Sequence, residues 1–345
     1  MDSKITHPPT VPVIHAMLWA VTLVAAGALV TLGSGSVAQA NCEAADATTM
    51  IQTRIAPVVA HCPCGHASFG GPSAIDVAWA SDERQTDGLQ ASVASAIAAA
   101  KGPMRAHVMV LRSTMPFFRK LFGIHADCDS VEAAGGRAVV ILHPFDMDMV
   151  MASMSKVASA QLQQMHLDAP TVVVRLYMHQ LLGDKVVIWL DCDTIVQQDL
   201  TPLRSAVLEN GVTVAVANRS KKLSDVLNAS NPCQFEPEIW DKLRSAKHFN
   251  DGVYAVDLGR WEREGVSKRI EEIIAKNNDC GGKLFDDIDQ TPFDMAFHLP
   301  SLRGERQDFV IVGEKWNQAG LGWKAYMDES SIKDAGVLHW TGPHK

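Results

Sequence analysis

Residues 186–190 read Val-Val-Ile-Trp-Leu, five apolar side chains in succession with no alternation. A strand of that kind is buried on both faces, so the chain has to fold with layers on either side of a sheet. The surrounding pattern agrees. Ile75-Asp76-Val77-Ala78-Trp79-Ala80 reads as an opening strand closed by the polar Ser81-Asp82-Glu83, and 108–111 and 138–142 are further short apolar runs. Leu89, Val93 and Ile97 recur at i, i+4, i+8, one face of a helix. Helical patterns at about 146–166 and around 171–182 lead up to the 186–190 strand. Short apolar strands alternating with helices specify an α/β domain with a largely parallel central sheet flanked by helices. Further on, residues 212–217 and 253–258 read as strands, and Val266, Ile270, Ile273 and Ile274 share one face of a helix. Val337-Leu338-His339-Trp340 closes the chain.

Ahead of this domain the sequence is of another kind. Residues 13–32 contain no Asp, Glu, Lys or Arg, and at about 1.5 Å per residue they are long enough to span a bilayer. Ala38-Gln39-Ala40 has the small-x-small form of a signal peptidase site. Residues 1–40 are therefore read as a signal-anchor or a cleavable signal peptide, 41–72 as a stem or linker, and 73–345 as the main folded domain. Either N-terminal reading sends the rest of the chain into the secretory lumen. Seven dispersed cysteines fit an oxidising compartment, and their odd number leaves at least one unpaired in a monomer. His61-Cys62-Pro63-Cys64-Gly65-His66 is spaced too tightly for a zinc knot. Asn218 and Asn228 open glycosylation sequons, of which the first follows an expected strand and is a poor acceptor. The net charge of −8, with no basic run longer than Arg219-Ser220-Lys221-Lys222, argues against nucleic acid as a partner.

The chemistry concentrates where the 186–190 strand ends. Ligands of parallel α/β sheets bind at the carboxyl ends of strands, and there the chain places Asp191-Cys192-Asp193. Two carboxylates at i and i+2 on a turn can reach one hard cation, Mn²⁺ or Mg²⁺, and leave positions open for phosphate oxygens. The chain has other Asp-x-Asp triplets at 127–129, 146–148 and 287–289. Context separates them: the 191 pair follows a buried strand, and Thr201-Pro202 then offers an N-cap and first-turn proline for the next helix. At the other end stands His339-Trp340-Thr341-Gly342-Pro343-His344-Lys345. His339 is a candidate third metal ligand, Gly342 permits close approach to a phosphate and Lys345 supplies positive charge for it. Cys192 reads as a small buried filler, Trp316 and Trp340 as packing residues, and Asn250 as a turn residue.

Taken in order, these features resemble glycosyltransferase family 8, over residues 75–345. The matching residues are Ser81-Asp82-Glu83, Arg175, the strand into Asp191-Cys192-Asp193, and Phe249-Asn250-Asp251-Gly252-Val253 with Asp257-Leu258 and Trp261. Asp289-Gln290 and the His-x-x-Gly-x-x-Lys at 339, 342 and 345 complete them. Leu111-Arg112-Ser113-Thr114, Pro144-Phe145-Asp146 and the stretch from Lys315 to Gly322 look like the plant galacturonosyltransferase-like branch. The resemblance implies a GT-A type single domain with a small antiparallel C-terminal portion. It also implies a retaining transfer of a hexosyl or hexuronosyl group from a UDP-sugar to a carbohydrate acceptor, and a Golgi membrane location. Asp191, Asp193 and His339 would hold the metal, Gly342 and Lys345 the diphosphate, and Asp82 the base or ribose. Arg175 would lie by the donor sugar, Asn250, Asp251 and Gly252 along the sugar and acceptor side, and Asp289 and Gln290 beside the anomeric carbon, where they and Asp191 would act in catalysis. Asp251 departs from the family, which usually has Ala there. The alternatives are a catalytically silent scaffold of the same fold and a self-glucosylating primer, the latter disfavoured by the N-terminal segment and only three tyrosines.

Overall fold

The computed structural model of this chain describes residues 69–146, 148, 170–228, 237–285, 289–324 and 327–342. The apolar segment 13–32 and most of the stem lie outside them, and no helix among the described residues is long and apolar enough to cross a membrane. Among the described residues ten strands follow one another. They are β1 (Ile75–Ala80), β2 (Met104–Leu111), β3 (Ser130–Ala133), β4 (Ala138–Phe145), β5 (Val186–Leu190), β6 (Thr194–Val196), β7 (Val214–Lys222), β8 (Lys247–Asp257), β9 (Phe309–Val312) and β10 (Val337–His339). Eight of them form one sheet in the order β3-β4-β2-β1-β5-β8-β7-β9. β4, β2, β1, β5, β7 and β9 run in one direction, while β3 and β8 oppose them. The other two strands, β6 and β10, make a small antiparallel sheet.

The lack of alternation in β1 and β5 now has its cause. Val77, Trp79, Ile188 and Leu190 enter one core together with Leu89, Val93 and Ala96 of helix α1 (Thr86–Ala99) and Leu203 and Val207 of helix α2 (Thr201–Asn210). Ala78, Ala80, Val187 and Trp189 enter a second core on the opposite face. Its helical layer includes Val266, Ile270, Ile273 and Ile274 of helix α3 (Val266–Asp279) and Phe293 and Phe297 of helix α4 (Gln290–Leu302). Both faces are covered, as an uninterrupted apolar strand requires.

Three local expectations are corrected. Thr201 does not cap α2; it lies inside the first turn, and Asp199 Oδ1 accepts the Thr201 N–H at 2.9 Å instead. Asp199, two residues upstream, takes that role, and Pro202 in the first turn has no N–H left to satisfy. The strand expected at 253–258 begins at Lys247, so Asn250 sits within β8 and not in a turn. Its pairing with β7 jumps from Val216–Tyr254 to Ala217–Asn250, which leaves residues 251–253 as a bulge. A bulge bends its strand and re-aims side chains, and this one lies beside the end of β5, where Asp191 N donates to Gly252 O at 2.8 Å. The third concerns 171–182, expected as one helix. It is two short helices, Pro170–Val174 and Met178–Leu182, joined by a tight turn at Arg175–Tyr177.

A buried polar cluster crosses the sheet near the start of β1. Asp76 pairs with Arg105 at 2.6 and 2.7 Å and accepts from His107 Nε2 at 2.8 Å. His107 Nδ1 is thereby left as an acceptor, and His143 Nε2 donates to it at 2.8 Å. Burial pushes the His143 imidazole down to about 3, helped by the neighbouring His107 and Lys185. Asp76, despite its burial, is held at about 2 by Arg105 and His107.

Candidate active site and metal centre

Two separate stretches of chain deliver the metal trio. Asp191 and Asp193 sit in the turn between β5 and β6, and β10 pairs with β6 so that His339 lies opposite Thr194. Trp340 N also donates to Asp193 O at 2.9 Å. The result is a cluster in which one ligand atom from each of Asp191, Asp193 and His339 lies within 4.8 Å of the others. His339 Nε2 stands 3.7 Å from Asp191 Oδ2 and 3.2 Å from Asp193 Oδ1.

The surroundings orient these atoms. Asn317 Nδ2 donates to Asn250 O at 2.9 Å, which leaves its Oδ1 to accept from His339 Nδ1 at 2.8 Å. That fixes the tautomer and frees the Nε2 lone pair toward the carboxylates, the arrangement of metal-binding histidines. Trp189 Nε1 donates to Asp191 Oδ1 at 2.9 Å, so Oδ2 faces the imidazole. Burial pushes the Asp191 carboxyl above its ordinary value, while His339 and Arg175 pull it back. Two carboxylate oxygens and one imidazole nitrogen, converging and short of positive charge, fit a hard divalent cation with open positions.

Behind the turn runs a chain of buried hydroxyls. Trp79 Nε1 donates to Ser92 Oγ at 2.8 Å, Ser92 Oγ lies 2.8 Å from Thr194 Oγ1, and Thr194 Oγ1 donates to Asp191 O at 2.8 Å. Ser95 Oγ accepts from Val196 N at 3.0 Å. Helix α1 thus anchors the turn that carries Asp191 and Asp193, and Gly88 lets it come close, since a Cβ there would lie 2.7 Å from Cys192 O. Cys192 itself is filler, its Sγ donating to Ala80 O at 3.2 Å and its thiol pushed up to about 12 by burial.

A second constellation adjoins the first. The β8 bulge points Asp251 at Arg175, whose Nη2 lies 2.8 Å from Asp251 Oδ2 and 3.4 Å from Asp289 Oδ2. Asp251 and Arg175 are buried, whereas the Asp289 side chain is 36% exposed and forms the rim. Burial opposes the Arg175 charge, but Asp251 and Asp289 overcome it and hold the guanidinium firmly protonated. Arg175 also acts on Asp191 electrostatically, which ties this group to the metal trio. Asp289 caps α4 by accepting from Gln290 N, so Gln290 opens that helix beside Arg175's partner.

The remaining expected site residues are placed as follows. Gly252 lies against the trio: a Cβ would come within 2.1 Å of His339 Cε1 and 2.7 Å of Asp191 Oδ2. Asn250 is buried with its backbone held by Asn317. Asp82 lies two residues beyond the end of β1, with its carboxylate paired to Arg84 at 2.6 Å. Gly342 owes its lack of a side chain to close packing, because a Cβ there would meet the backbone of Gly322 and Trp323. Lys345 lies outside the described residues. Asn317, Ser92, Ser95 and Gly88 were not singled out as functional from sequence. Ser92 and Ser95 leave a signal, two hydroxyls three apart on the apolar face of α1, but nothing local says what they meet.

Comparison with known proteins places this geometry. The family model "Glycosyl transferase family 8" matches residues 125–345. Among curated relatives, "Probable galacturonosyltransferase 7" of Arabidopsis thaliana is 29% identical over 180 residues, covering 49% of this chain and 25% of that protein. "Probable galacturonosyltransferase-like 10" of the same plant is 26% identical, covering 52% and 48%. The human "Glycosyltransferase 8 domain-containing protein 2" is 25% identical, covering 51% and 53%. The chain therefore matches about half or less of the length of these relatives. Among solved structures, mouse xyloside xylosyltransferase 1 superposes with a TM-score of 0.51 at 13% identity, covering 79% of this chain and 99% of that one. The WbbM bifunctional glycosyltransferase gives 0.55 at 14%, covering 80% and 48%. By the family match and the shared GT-A fold, this chain belongs to glycosyl transferase family 8.

Proposed function

We propose that this glycosyltransferase moves a hexosyl or hexuronosyl group from a UDP-sugar to a glycan or polysaccharide acceptor, with retention of anomeric configuration and a requirement for Mn²⁺ (or Mg²⁺). The observation that carries the reading is the convergence of Asp191, Asp193 and an Asn317-oriented His339 at the carboxyl end of β5. A divalent cation there neutralises charge on a leaving diphosphate. In this reading Asp82 takes the nucleoside, Gly342 and Lys345 the diphosphate, and Arg175, Asn250 and Gly252 the donor sugar. Asp289 and Gln290 flank the anomeric carbon. The site presents few free bases, which suits a front-side transfer in which the leaving phosphate takes the acceptor proton. In this reading the protein works in the secretory lumen, with the 13–32 segment as membrane anchor or signal, and a disulfide-bonded Cys280 suits that oxidising compartment.

The test is UDP release by the full-length protein from a panel of UDP-sugars, with Mn²⁺ and with chelator, beside Asp191→Ala/Asp193→Ala. Metal-dependent turnover of a donor, lost in the double variant, is the expected result. Absence of both turnover and Mn²⁺-dependent UDP binding would overturn it. Binding without turnover would instead favour a silent scaffold.

A further inference from the structure

The Arg175 pocket carries information about the donor that goes beyond the class of reaction. It holds one guanidinium and two carboxylates, at 2.8 Å from Asp251 and 3.4 Å from Asp289. Asp251, fully buried, lies beneath Arg175 and is close enough to match its charge outright. Asp289 stands at the rim with its carboxylate partly in solvent. Among the described residues, the group around Arg175, Asp251 and Asp289 therefore carries a net negative charge before any metal binds. Arg175 Nε lies in the same buried environment with no hydrogen-bond partner there.

A sugar hydroxyl both donates and accepts, so it can take an N–H from Arg175 while giving its own hydrogen to Asp289. A uronate carboxylate only accepts. It would have to share Arg175 with two carboxylates already in place, and like charges brought together at low dielectric repel. Resting on the reading of this site as the donor pocket, we propose that the donor is a neutral UDP-sugar and that a UDP-uronate is selected against. Asp251 is the positioning residue responsible: it holds Arg175 from below and uses up its charge. The inference runs against the names of the plant relatives, whose match to this chain stops at 29% identity or less.

The experiment is calorimetric titration of the full-length protein with UDP, UDP-galactose and UDP-galacturonate in the presence of Mn²⁺. The two sugar nucleotides differ only at C6, and no acceptor is needed. UDP-galactose is expected to bind at least tenfold tighter than UDP-galacturonate, and Asp251→Asn, which keeps the shape and removes the charge, to narrow that ratio. The wild-type ratio alone decides the matter if the variant fails to fold. Mn²⁺-dependent binding of UDP with equal affinity of the protein for UDP-galactose and UDP-galacturonate, or tighter binding of UDP-galacturonate, would overturn the neutral-donor inference and leave the transferase reading intact. No Mn²⁺-dependent binding of UDP itself would overturn both.

Discussion

At the residue scale the site is defined as much by what is absent as by what is present. Gly252 has no unusual backbone angle; it is glycine because His339 and Asp191 occupy the space of a side chain. Gly252→Ala is expected to displace those two ligands and weaken Mn²⁺-dependent UDP binding on the order of 100-fold. The accompanying loss of stability should be only about 1–3 kcal/mol, the usual cost of overpacking. Calorimetry with UDP beside a urea melt separates the two effects, and unchanged affinity would show that the trio does not bind the cation. Asn317 acts one step further out. Replacing it with Ala releases His339 Nδ1 and is expected to cost about 10–100-fold in metal affinity with the fold intact. An Mn²⁺ titration followed by electron paramagnetic resonance reads this directly.

At the element scale, the turn that carries Asp191 and Asp193 is set by helix α1 as well as by the strands it joins. The relay from Trp79 through Ser92 and Thr194 to Asp191 O crosses three elements, buried at its two inner bonds and partly buried where it reaches Asp191. Ser92→Ala strands the Trp79 N–H and removes the hydrogen-bond partner of Thr194 Oγ1, so a loss of about 1–3 kcal/mol is expected. Urea unfolding with tryptophan fluorescence measures it, and a change within error would mean that the relay is dispensable. The β8 bulge belongs to this scale too. It turns three residues out of register with β7, and the same displacement sets Asp251 under Arg175 and Gly252 beside Asp191. An unbroken strand would have sent alternate side chains to opposite faces and could not have done both.

At the scale of the whole molecule, acid acts on the fold through the buried Asp76–His107–His143 cluster. Folded His143 takes a proton only near pH 3, whereas the unfolded residue takes one near 6.5. Between those values protons favour the unfolded chain, so stability is full above pH 6.5 and falls by about 1 kcal/mol for each unit below it. Asp76 adds a loss in the same direction between 3.8 and about 2. The melting temperature is expected to drop steadily from pH 6.5 toward 4, and His143→Gln to flatten the slope. A melting temperature independent of pH across that range would remove the cluster from the account.

Much of this was legible beforehand, and the division has a physical basis. Period and composition fix local matters: an apolar run without alternation must be buried on both faces, a 3.6-residue stripe must face a core, and an Asp-x-Asp at a strand's end must sit where sheets bind ligands. The sequence by itself thus determined the α/β layering, β1 and β5, the amphipathic α3, and the ordered motifs from Asp82 to His339 that mark the family. Only the tertiary structure decided what meets across distance. The pairing of β10 with β6, the Asn317–His339 bond, the hydroxyl relay of α1, and the capture of Arg175 by Asp251 each join residues 22 to more than 100 positions apart. Such contacts leave no periodic trace, because each depends on strand register and on a bulge that no local preference specifies.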